Sequence, residues 1–154
     1  MKGVAIRRAL WVCLGLLVLL QIPGPRLHNP PVNPERSLLR DPSLDSKVRH
    51  VLVKSCADCH SAETKWPPYA HIAPISFLIA RDVREGRARL NFSEWPRNPT
   101  GELEEIYDTV DRRFMPPREY LLMHPNARLS DEDQKVLKDW IDSQSRPERS
   151  SLAR

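Results

Sequence analysis

Prolines decide where helices can run in this chain. There are 15 of them against 5 glycines in 154 residues, and each removes an amide donor and fixes its own φ. The backbone is thereby divided into a few proline-free stretches joined by stiff connections. The length suits one ordinary domain once the N-terminus is set aside.

Four of those stretches have helical periodicity. In LDSKVRHVLVKSC, Val48, Val51, Leu52 and Ser55 share a face behind the candidate N-caps Ser43 and Asp45, which predicts a helix over 45–58. ISFLIARDVREGRARL predicts a second over 75–90, with Phe77, Leu78 and Val83 inward, the arginines outward and Gly86 near its end. ELEEIYDTVDRRF sets Leu103, Ile106, Tyr107 and Val110 at i, i+3, i+4 and i+7, and this third helix stops at Met115, Pro116 and Pro117. SDEDQKVLKDWIDS opens with a Ser130 to Asp133 pair resembling a capping box and places Val136, Leu137, Trp140 and Ile141 on one face. No stretch alternates with period two and no repeat is visible, so the expected fold class is all-α.

The N-terminus is of another kind. Lys2, Arg7 and Arg8 precede 14 apolar or weakly polar residues from Ala9 to Ile22, which is the pattern of an export signal. The run is shorter than the roughly 20 residues that span a bilayer comfortably, yet QIPGP offers no small-x-small cleavage site. Residues 1–25 are therefore a signal anchor or signal peptide, with the anchor favoured. Basic residues ahead of the run keep the N-terminus cytoplasmic and send the remainder across. Cys13, inside the run, reads as a small buried hydrophobe. Six prolines between Pro23 and Pro42 then predict an extended linker over 26–42 that holds the domain off the membrane. The tail over 146–154 is expected to be disordered.

Net charge is +4, but with Lys2, Arg7 and Arg8 set apart, 21 basic side chains stand against 20 acidic ones. A balance this even argues against nucleic-acid binding, although Arg81, Arg84, Arg87 and Arg89 cluster, because phosphate affinity needs several unopposed cations.

The stretch KSCADCHSAETKW carries the chemistry. Cys56 and Cys59 lie three apart, with His60 directly after the second. In an exported chain this spacing suits covalent c-type haem attachment: the thiols of Cys56 and Cys59 add to the two vinyl groups, and His60 falls beneath the iron as proximal ligand. Three rivals compete. A redox CxxC wants a preceding strand and a βαβ context. Zinc needs four ligands, with His50 or His71 joining the motif, and His60 beside Cys59 is poorly disposed to share the ion. A Cys56–Cys59 disulfide closes a tiny loop and leaves His60 without a role.

Candidates for the sixth ligand are Met115, Met123, His71 and His124. Met115 is favoured because Pro116 pushes it into extended backbone at the end of a helix, whereas Met123, in YLLMHP, reads as packing. An open site without a sixth protein ligand also stays in play. Trp66, Trp95 and Trp140 read as core or haem-edge packing, with an indole N–H available to a propionate. Arg81 and Arg84 read as a solvated helix face.

The segments NPPV (29–32), CADCHSAETKWPPY (56–69), IAPISFLIARDVREGRARLNFSEW (72–95), MPP (115–117) and HPNARLS (124–130) resemble, in order and with similar gaps, a family of small bacterial haem-binding domain proteins, membrane-anchored with a single CxxCH. The resemblance implies a cytochrome c-like bundle of about four helices over 43–145 around one covalent haem c, attached at Cys56 and Cys59. It also implies His60 as proximal and Met115 as distal ligand. Family members usually carry Trp where Pro68 stands, a departure that bears on packing beside the haem and leaves attachment untouched.

The resulting expectation is a membrane-tethered monohaem c-type cytochrome on the periplasmic face of a bacterial cytoplasmic membrane. It would pass single electrons to redox partner proteins without enzyme chemistry. The alternative is a haem-based sensor or small-ligand binder with a weak or absent distal ligand.

Overall fold

The computed structural model describes residues 2–21 and 24–151, those from 145 onward in backbone only. Among the described residues the chain is all-helical, without strands: α1 (Lys2–Leu20), α2 (Ser46–Ser55), α3 (Ala57–His60), α4 (Ile75–Arg89), α5 (Thr100–Asp111), α6 (Arg118–Met123) and α7 (Asp131–Ser151), with short 3-10 turns between them. The four stretches with helical spacing become α2 with α3, α4, α5 and α7. The one-turn α3 and the six-residue α6 were not separately legible.

α1 is 19 residues of mean hydropathy 2.0 with no buried residue, long and apolar enough to cross a membrane and equally typical of a signal sequence. Cys13 lies on this exposed helix, so nothing in the protein itself buries it. Residues 22 and 23, at the end of the expected anchor, lie outside the described residues; of the tail expected to be disordered, 146–151 continue the helix α7 and 152–154 lie outside the described residues.

Local chemistry fixes three of the helix ends. Asp45 Oδ1 accepts from the amides of Lys47 (2.7 Å) and Val48 (3.3 Å) and starts α2, as an N-cap carboxylate does. Ser130 and Asp133 form a reciprocal cap on α7: Ser130 N–H donates to Asp133 Oδ2 (2.8 Å) and Asp133 N–H to Ser130 Oγ (3.1 Å). α5 ends where Arg113 takes a left-handed φ of 55°, which lets Phe114 N–H reach back to Thr109 O at 2.9 Å.

The core joins Val48, Val51 and Leu52 of α2, Leu103, Ile106 and Val110 of α5, Leu137 and Ile141 of α7, and Leu90 and Phe92 after α4. Trp95 and Trp140 pack against it with ring centroids 6.4 Å apart, which makes both core-edge residues.

Four expectations need correction. On α4 the buried face is Ser76 and Val83, continued by Leu90 just past its end, while Phe77 and Leu78 are 38% and 57% exposed; only Val83 of the expected trio points inward. Tyr107 on α5 is exposed, its ring under Lys138 Nζ at 5.4 Å, and Met123 is exposed instead of packed. The segment 26–42 is not a free tether: Ser37, Leu38 and Leu39 are buried in the domain. Trp95 N–H donates to Arg36 O (2.8 Å) and Asn29 Nδ2 to Thr64 O (2.9 Å). Proline suits the first position of a 3-10 turn, so Pro34 starts a turn instead of extending the chain. Burying each leucine that follows contributes roughly 1.5–3 kcal/mol.

Candidate functional site

Cys56 ends α2 and caps α3, its N–H bonded to Leu52 O at 2.9 Å, and His60 N–H closes the single turn of α3 onto Cys56 O at 3.0 Å. This turn brings both thiols and the imidazole to one end of α2, with Ala57 buried beneath them. Cys56 and Cys59 are separate thiols. Burial pushes the Cys56 thiol up to about 12, with Cys59 adding to the effect, and pushes Cys59 up to about 11, with Asp58 adding to it. A redox-active CxxC needs the opposite, an acidic thiol.

The imidazole of His60 is oriented from behind. Its Nδ1 lies 3.1 Å from Leu90 O. A carbonyl can only accept, so Nδ1 carries the proton and Nε2 keeps its lone pair free. Burial lowers the pKa of His60, against the opposing effect of the bond to Leu90, which favours the neutral ring. A neutral imidazole whose second nitrogen donates to a carbonyl is the usual form of a metal-ligating histidine. Phe92 holds the other side, ring centroids 6.2 Å apart.

α4 supplies the wall. A Cβ on Gly86 would stand 2.7 Å from Cys59 O, so only glycine lets this helix approach the motif. Arg87 then clamps the segment that follows the motif: Nε donates to Ser61 O (2.7 Å), and Nη2 to Thr64 Oγ1 (2.8 Å) and Asn29 Oδ1 (2.9 Å). Thr64 Oγ1 in turn donates to Asp58 O at 2.7 Å. Spacing alone places Arg87 with the outward arginines; its partners, one backbone carbonyl and two side chains, lie 23 to 58 residues away along the chain.

A second network joins α6 to the motif. Tyr120 Oη donates to Asp58 Oδ2 at 2.8 Å, and burial together with Asp58 holds the phenol well above its ordinary pKa. Tyr120 stacks on His124 at 4.1 Å with an interplanar angle of 15°. His124 Nδ1 donates to Tyr120 O (3.2 Å), which leaves Nε2 to accept from Tyr69 Oη (3.2 Å). Both ring nitrogens are thus engaged within the protein. A pocket of about 410 Å³ opens beside this network, with His50, Lys54, Lys65 and Met123 on its walls.

Met115 stands just after α5, its N–H bonded to Thr109 O at 3.4 Å and its side chain 37% exposed, ahead of buried Pro116. Met115 is joined to the motif through its own segment: five residues on, Tyr120 reaches Asp58. His71 is exposed at the end of a 3-10 turn. Among the described residues no three His, Cys, Asp or Glu side chains converge as a metal site, so His50 and His71 do not complete a zinc tetrahedron.

The residues present fit a porphyrin. Two thiols and an imidazole share one turn of backbone at the end of α2, and Trp66 Nε1 is a buried donor without an acceptor among the described residues, as suits a propionate. Phe114, Leu122 and Met123 expose apolar side chains on the segment bonded to Asp58. A family model described as a haem-binding domain matches residues 15–143. No curated protein and no solved structure matches the chain.

Proposed function

Because the chain belongs to the haem-binding domain family, we propose that it is a membrane-tethered monohaem c-type cytochrome with a cytochrome c-like fold, a single-electron carrier and not an enzyme. Cys56 and Cys59 would hold one haem c through thioethers, with His60 Nε2 as proximal and Met115 Sδ as distal ligand atom. The bound group supplies an Fe(III)/Fe(II) couple. The chain's own part is to orient and to cover.

The observation that carries the reading is the bond between His60 Nδ1 and Leu90 O, which presents a neutral imidazole directly after two thiols. No side chain serves as acid, base or nucleophile. Ligation by methionine and histidine sets a higher potential than two histidines would, and His124 is a poor rival to Met115 because both of its nitrogens are already bonded. α1, preceded by Lys2, Arg7 and Arg8, anchors the domain on the periplasmic side of a bacterial cytoplasmic membrane, where it meets redox partner proteins.

The test is a pyridine haemochrome spectrum, taken after acid-acetone extraction, of protein made in a host with haem-attachment machinery. A c-type spectrum that survives extraction supports attachment at Cys56 and Cys59; colourless protein, or haem lost on extraction, overturns it.

A second reading, a sensor or small-ligand binder, draws on the exposure of Met115, which suits a distal ligand that yields to CO, NO or O₂. Rapid CO binding by the untreated ferrous protein favours this reading, and a stable six-coordinate spectrum counts against it.

A further inference from the structure

Gln21, the residue after α1, is bonded in both directions to one backbone unit of the domain. Its Nε2 donates to Ala73 O (3.3 Å), and Ala73 N–H donates to its Oε1 (2.9 Å). The exit of the apolar helix is therefore held against the turn that opens α4.

The side chains around that turn are apolar and face outward. Ile72 precedes Ala73, and Ile75 and Leu78 lie one turn apart at the start of α4; all three are exposed. The next turns carry exposed Arg81 and Arg84. Arg81 pairs with Glu85 at 3.1 Å and approaches Asp82 at 3.9 Å, and α4 as a whole holds four arginines against these two acids. Apolar residues in the first turn followed by basic ones is the arrangement of a helix that meets a lipid interface, where apolar side chains enter the acyl boundary and guanidinium groups stay among the headgroups.

Length places this turn at the right depth. Beyond Arg8 the apolar part of α1, residues 9–20, rises only about 18 Å, short of the roughly 30 Å of a bilayer's hydrocarbon core, so its exit has no slack to stand clear of the membrane. With α1 across the membrane, Gln21 stands at the outer lipid–water boundary, and Ala73, bonded to it, stands there too.

We propose that the face formed by Ile72, Ile75, Leu78, Arg81 and Arg84 rests on the anionic phospholipid surface of the membrane that α1 crosses. The domain is then held at the bilayer in one orientation instead of swinging on a tether. This rests on the reading of α1 as an uncleaved anchor.

The test uses the full-length holoprotein in vesicles of phosphatidylcholine and phosphatidylglycerol that contain a photoactivatable diazirine phospholipid, with adducts mapped by mass spectrometry. Adducts on α1 and on 72–78, without adducts on 114–123, are expected. In the double variant Ile75→Glu, Leu78→Glu, the label on 72–78 should fall about tenfold or more while α1 labelling and the haem c spectrum persist. Label confined to α1, or spread equally over 114–123, overturns the docked orientation and leaves the anchor standing. Loss of label from α1 as well overturns the anchor reading beneath it. A double variant that loses its haem spectrum assigns Ile75 and Leu78 to the haem pocket and overturns the proposal.

Discussion

The carbonyl oxygen of Cys59 stands 2.7 Å from where a Cβ on Gly86 would lie, with the Cys59 Cβ itself at 3.2 Å from that point. α4 and the motif meet backbone to backbone, and no flexible side chain intervenes to absorb a methyl group. In an exposed helix, replacing glycine by alanine stabilises by about 1 kcal/mol. Gly86→Ala should instead destabilise by roughly 1–3 kcal/mol, the range for overpacking a closed contact. Urea unfolding of the variant measures this, and a midpoint equal to or above the parent's would show that α4 can move off the motif freely.

Asp133 joins α7 to α2. Its Oδ2 accepts from Lys54 Nζ at 2.7 Å and from Ser130 N–H and Oγ. Burial acts upward on its pKa, but the bonds from Lys54 and Ser130 outweigh it and hold the carboxyl below its ordinary value. A carboxylate depressed by folding stabilises the protein above its unfolded pKa, and the benefit is lost as pH falls through the folded one. Asp133→Ala should therefore cost roughly 1–2 kcal/mol at pH 7, chiefly as a lost cap. The gap between parent and variant should close as pH falls below about 4. Denaturant titrations at pH 7 and pH 3 give the comparison; an unchanged gap would mean that the charge on Asp133 contributes nothing.

What was legible in the sequence follows what is local. The pairs that start helices, such as Ser130 with Asp133, and faces such as Leu103, Ile106 and Val110 are set by spacing alone, and they appear where spacing predicts. The motif's own turn is local as well. The misreadings at Phe77, Leu78 and Tyr107 arise because periodicity gives a helix its apolar residues without saying which of them meet a neighbour. On α4 that choice was made by the close approach at Gly86, which puts small Ser76 inside and large Phe77 outside. Leu38 and Leu39 were hidden by the prolines around them. Arg87 and Tyr120 act through atoms 23 or more residues away along the chain, Ser61, Thr64 and Asp58 among them, and no spacing reveals such partners.

Tyr120 links the segment after Met115 to the motif through Asp58 Oδ2. Tyr120→Phe removes this one bond and keeps the ring that stacks on His124, so stability should fall by only about 0.5–1.5 kcal/mol. If the bond positions the Met115 segment, the ferrous variant should bind CO faster than the parent while its haemochrome spectrum stays c-type. Stopped-flow CO binding decides: an unchanged rate would confine Tyr120 to a structural role.

Met115 is 37% accessible and reaches the motif through the segment that carries Tyr120. A thioether on iron gives the oxidised protein a far-red sulfur-to-iron band and favours the reduced state, so both disappear with the sulfur. Met115→Ala should therefore lose that band, lower the reduction potential and admit CO, while Cys56 and Cys59 still retain the haem through acid-acetone extraction. Met123→Ala should leave all four properties as they are, since Met123 lies on the wall of the neighbouring pocket beside His50 and Lys54. Optical spectra and a redox titration of the two variants separate the cases. If Met115→Ala keeps the parent's band and potential, Met115 is not the distal ligand; if Met123→Ala loses them instead, the ligand comes from α6.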